Sequence, residues 1–87
     1  MNFEVEKARV LSKLIRGKGN WGSKYDRLEH FKRFQNLNLI IRELENKGWI
    51  LVRKKPNYTG ISLNPTYKSE IISFLEEKIP YLKGMLK

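Results

Sequence analysis

The chain has 87 residues, 18 lysines and arginines against 9 aspartates and glutamates, a net charge of +9 and no cysteine. That length makes one domain, burying roughly 60–65% of its unfolded surface in a single core, with little room for a deep catalytic pocket. The missing cysteines exclude a disulfide framework and thiolate metal ligands, and the basic excess favours a polyanionic partner. The charge is unevenly placed. Residues 7–55 hold 14 basic and 4 acidic side chains, residues 56–87 hold 4 and 3, and the first six carry −2.

In chain order, Ala8, Leu11, Leu14 and Ile15 share one helical face and predict a first helix over Phe3 to Arg16. Arg9, Lys13 and Arg16 recur at helical spacing on another face. Gly17 and Gly19 stop that helix. The run from Gly17 to Lys24 has the glycine content of a phosphate loop, but Ser23 before Lys24 reverses the order such a loop requires, and no strand precedes it. Nucleotide binding is therefore rejected. Trp21 reads as a packing anchor on a short strand between helices, and Lys24 as a backbone-contact candidate.

Ser23 as N-cap, Asp26 in the first turn, and Tyr25, Leu28 and Phe31 at helical spacing predict a second helix from Lys24 to Arg33. Phe34 closes the core at its end. His30 has no second histidine or cysteine to share a metal, so it reads as structural or exposed. Leu37, Ile40, Ile41 and Leu44 then form the apolar stripe of a third helix, residues 36–47, which Gly48 stops. Asn36, Asn38, Leu39, Arg42, Glu43 and Asn46 are left facing outward.

Beyond Gly48 the pattern becomes β-like at Trp49 to Val52, then basic at Arg53, Lys54 and Lys55. Pro56, Asn57 and Gly60 reverse the chain, and Ile61 to Leu63 returns as a second strand. Asn64 followed by Pro65 opens a last helix. Ile71, Ile72, Phe74, Leu75 and Ile79 give it a wide apolar surface, and Pro80 breaks it before Tyr81, Leu82, Met85 and Leu86. The near-neutral stretch 65–87 therefore predicts a C-terminal helix that also pairs two copies into a homodimer.

Helix, glycine, apolar strand, basic turn and short strand follow one another as the recognition helix and wing of a winged helix-turn-helix domain. The expected fold is α+β and mostly helical: a three-helix core, a β-hairpin wing and an additional C-terminal helix, all in one domain over residues 1–87. The run from Arg42 to Lys55 resembles the recognition-helix-to-wing segment of bacterial and archaeal winged-helix transcription regulators. Trp21-Gly22, Lys24, Gly48-Trp49, Tyr58 and Ser62-Leu63-Asn64-Pro65 are similar to small archaeal winged-helix proteins of uncertain role.

That resemblance implies a regulator binding double-stranded DNA, with the third helix in the major groove and the wing, residues 53–60, on the backbone or minor groove. Asn can bridge adenine N6 and N7, and Arg can bridge guanine O6 and N7. Asn38 and Arg42 are thus the base-reading candidates, with Gln35, Asn36 and Leu39 beside them. Lys24, Arg33, Arg53, Lys54, Lys55, Asn57 and Tyr58 are the expected backbone and wing contacts. The alternative is a winged helix used as a protein-interaction module of transcription or replication machinery. It is favoured by a third helix whose Arg42 and Lys47 are balanced by Glu43 and Glu45. No nucleophile–base pair or metal cluster is visible, so no catalysis, metal or small-molecule cofactor is expected. With no signal-like N-terminus and no apolar run near ~20 residues, a cytoplasmic protein without membrane contact is expected.

Overall fold

The apolar spacing of the first fourteen-residue segment is realised with the predicted limits. In the computed structural model, which describes residues 3–17, 21–80 and 84, helix α1 spans Phe3–Arg16. Its Ala8, Val10, Leu11 and Leu14 are wholly buried. A two-residue strand β1 (Asp26–Arg27) and a single 3-10 turn (Leu28–Phe31) follow. Helix α2 (Leu37–Asn46), strands β2 (Ile50–Lys54) and β3 (Thr59–Leu63), a second 3-10 turn (Pro65–Tyr67) and helix α3 (Lys68–Lys78) complete the described chain. The result is a small α+β domain with an antiparallel sheet in the order β1-β3-β2.

The predicted second helix is corrected. Arg27 is extended (φ −75°, ψ 134°) and pairs with Gly60, while Asp26 pairs with Ile61. Ladder pairing therefore takes the residues that would have formed the first helical turn, and Ser23 caps nothing. Leu28 and Phe31 keep an i, i+3 relation, which a 3-10 turn satisfies as well as an α-helix. Phe31 is buried, and its ring lies 6.0 Å from that of Phe34. So the three-helix core expected before the hairpin is two helices and one tight turn. The expected short strand exists, but on Asp26–Arg27 rather than at Trp21.

Asn36 sets the angle at which α2 leaves that turn. Its φ of +58° is left-handed, a conformation Asn tolerates better than most residues, and its carbonyl accepts from Ile40 N at 2.9 Å. At the other end Gly48 (φ +80°) donates to Glu45 O at 2.9 Å while Trp49 N donates to Leu44 O at 3.0 Å. These paired bonds form a Schellman stop, which needs the left-handed residue that glycine supplies. The chain is then aimed directly into β2.

Five register pairs, from Ile50 with Leu63 to Lys54 with Thr59, bind β2 to β3. Ile50, Ile61 and Leu63 bury one sheet face against the helices. Asn64 works at the predicted helix entry: its Oδ1 accepts from Thr66 N at 3.1 Å and its Nδ2 donates to Gly48 O at 2.8 Å. One side chain thus caps the turn opened by Pro65 and ties it to the stop of α2. Ile71 and Leu75 of α3 enter the core, and Phe74 meets Trp49 edge-on at 5.4 Å. Among the described residues, α3 leaves no large apolar side chain exposed for a second copy. The remaining part of the dimer expectation falls on Tyr81, Leu82, Met85 and Leu86, which lie outside the described residues.

Candidate nucleic-acid interface

With Ile40, Ile41 and Leu44 turned inward, α2 presents Asn38, Leu39, Arg42, Glu45 and Asn46 to solvent. Leu39 is 54% exposed, the one large apolar side chain so placed among the described residues. It borders a shallow depression with Phe3, Arg42, Glu43 and Asn46. Asn36 is also exposed, but as the left-handed residue where α2 begins.

Glu43 does not stand free on this helix. The Lys7 ammonium, 2% exposed as a residue, bonds both Glu43 and Glu4 and lies 5.3 Å from the Phe3 ring and 5.8 Å from that of Phe74. Burial opposes the charge on Lys7, but the hydrogen bonds to Glu4 and Glu43 outweigh it and hold its pKa above the usual lysine value. The same bond from Lys7 holds Glu4 below the usual carboxylate range, against a smaller desolvation effect. Thus one α1 cation both pins α1 to α2 and neutralises an acid that would otherwise oppose an anion at α2.

The hairpin is built differently. Lys55 N donates to Tyr58 O at 2.8 Å and closes the turn. Arg53, Lys54, Lys55 and Asn57 are exposed, and Tyr58 is half-buried. Among the described residues no carboxylate reaches Arg53, Lys54 or Lys55 within ion-pair distance. Three adjacent cations therefore keep their charge available to a polyanion. Lys24, in the turn leading to β1, is exposed as well.

Arg33 and Gln35 belong elsewhere. They line a groove with Arg9, Lys13, Arg16 and Lys78, where α1, the turn before α2 and the end of α3 meet. Apart from Lys24 before β1, the predicted candidates fall into three groups: the outer face of α2, the hairpin, and this basic groove. The helical spacing of Arg9, Lys13 and Arg16 was readable locally, whereas their meeting with Arg33 and Lys78 is a tertiary fact. Sequence reasoning also missed Arg27 and the preceding Tyr25, because the formation of β1 depends on a partner more than thirty residues away.

His30 is exposed, with Nδ1 2.7 Å from the Asp26 carboxylate. Among the described residues no cluster of His, Asp or Glu could hold a metal ion, and no helix is long and apolar enough to cross a membrane. No protein-family model matches the chain, and no match is found among curated proteins or among solved structures.

Proposed function

We propose that the chain is a winged helix that binds double-stranded DNA, in the role of a transcription regulator. In this reading α2 enters the major groove and the β2–β3 hairpin lies on the backbone or in the adjacent minor groove. The observation that carries it is the pairing of two neighbours in sequence: a helix exposing Asn38, Leu39 and Arg42, and a hairpin exposing Arg53, Lys54 and Lys55 with no carboxylate beside them. The order β1-β3-β2, with the hairpin directly after α2, is the arrangement a winged helix needs. The 3-10 turn Leu28–Phe31 takes the place of the helix that crosses the backbone. Pairing of two copies through residues 65–87 is a subsidiary part of the proposal.

A gel-shift titration against random duplex at two salt concentrations tests it. Four to six neutralised phosphates give a log–log salt slope of roughly −4 to −5. Absence of binding even at low salt would turn the reading to a protein-interaction module. That second reading has its own support in Leu39, whose exposed side chain beside Phe3 offers an apolar contact on α2.

A further inference from the structure

The sheet face turned away from the core carries an arrangement that lies off α2 and that the hairpin enters through Arg53 and Tyr58. Arg27 of β1 and Arg53 of β2 both stand directly opposite Gly60 of β3. Directly opposed residues project from the same face, so the two arginines flank the glycine with Cα atoms about 10 Å apart. A Cβ at Gly60 would lie 3.0 Å from Tyr25 Cβ and 3.5 Å from Tyr58 Cε2. Two tyrosines therefore meet over the missing side chain.

Each tyrosine carries a guanidinium. Arg27 lies 4.6 Å from the Tyr58 ring centroid, and Arg53 lies 4.6 Å from that of Tyr25, reaching across β3 to do so. Both arginines are exposed while both rings are half-buried, so the guanidinium groups are accessible above the rings. Among the described residues the other cation–ring contacts are made by lysines at 4.9–5.9 Å, whereas these two arginine pairs are the shortest. The acid paired with them is Glu29, 3.3 Å from Arg27, an exposed contact that holds the guanidinium weakly.

A stacked guanidinium is already ordered, so less side-chain freedom is lost when a ligand arrives. Its plane can carry a nucleobase and its edge can donate two parallel hydrogen bonds to a phosphate. A duplex keeps its bases stacked inside and offers such a face only phosphates. A single strand offers both groups. We propose that this face binds single-stranded nucleic acid, with bases stacking on the Arg27–Tyr58 and Arg53–Tyr25 pairs and the guanidinium edges holding the backbone.

The test uses the full chain and fluorescence anisotropy with labelled oligo-dT and oligo-U of roughly 12 nucleotides, and a random duplex of the same length. The variant Arg27→Lys, outside the hairpin assigned to the duplex, keeps the charge but loses the plane and the fork. It should bind both single strands about fivefold more weakly and the duplex within about twofold of the parent. Circular dichroism of the variant, altered only at one exposed position, should match the parent. Asn38→Ala with Arg42→Ala should leave single-strand binding intact, so that failure of duplex recognition by α2 and failure of this proposal read out separately. Three results overturn it: no binding of either single strand by the parent at low salt, undiminished single-strand binding by Arg27→Lys, or an equal single-strand loss in the α2 variant.

Discussion

Lys7 and the hairpin lysines are the same residue type with opposite fates. Lys7 is buried among two carboxylates and two phenyl rings and ties α1 to α2. Lys54 ends strand β2 and Lys55 follows it, both exposed and with no acid within ion-pair distance among the described residues. A net charge of +9 counts both alike. The structure separates charge that holds the fold from charge available to a partner. A cation on an amphipathic helix close to the core joins the first kind when acids from two helices can reach it. A cation at a hairpin tip has no neighbours on most sides and joins the second.

Removing Lys7 is the strongest way to break that distinction. Lys7→Ala leaves Glu43 and Glu4 without their Lys7 partner and removes the ammonium from beside the Phe3 and Phe74 rings. A loss of about 2–3 kcal/mol is expected. That corresponds to a fall in Tm of roughly 10–20 °C for a domain of this size. Thermal melts read the effect. A variant as stable as the parent, but weaker in binding DNA, would show that Lys7 belongs with the available charge after all.

The hairpin side of the comparison predicts the reverse pattern. Lys54→Ala with Lys55→Ala should leave stability within about 0.5 kcal/mol, as exposed substitutions do. Affinity for every duplex should fall alike, by about tenfold at moderate salt, and the salt slope should shrink by roughly 2. Unchanged affinity would remove the hairpin from the interface. On α2, Arg42→Ala should relax preference at one base step by about 1 kcal/mol, at the low end for a bidentate contact because the side chain is exposed. A competition assay over single-base variants of a selected site would show it. Equal losses at all sites would mean that Arg42 touches only phosphate.

These contrasts also show what the sequence could carry. The limits of α1, the stripe of α2, the glycine stop, the β2–β3 hairpin and the Asn64-Pro65 cap depend on residues within a few positions of each other, and all were legible. Residues 24–33 were not. Their apolar spacing suits an α-helix and a 3-10 turn equally, and the choice falls to Asp26 and Arg27 pairing with Gly60 and Ile61. The candidate site divides along the same line. The exposed residues of α2 and the consecutive hairpin cations follow from local periodicity. The crossed Arg–Tyr stacks and the burial of Lys7 need contacts between residues 28 to 67 positions apart.

Glu4 gives the smallest effect and fixes its sign. Its folded pKa lies below the ordinary carboxylate value because of the Lys7 hydrogen bond, so the folded state prefers the ionised form. The stabilisation it supplies is present above the unfolded-state pKa and is lost as pH falls through the lowered folded value. Glu4→Gln should therefore cost about 0.5 kcal/mol near neutral pH, a modest figure for a side chain 43% exposed. The gap between parent and variant should close in acid, below the usual carboxylate range. At the alkaline end the raised Lys7 pKa acts oppositely: its contribution is complete below the unfolded lysine pKa and disappears as pH climbs through the folded one. Denaturant melts of parent and variant across the acid range check the first limb. A gap that persists unchanged after Glu4 is protonated would mean that the carboxylate charge is not what Lys7 holds.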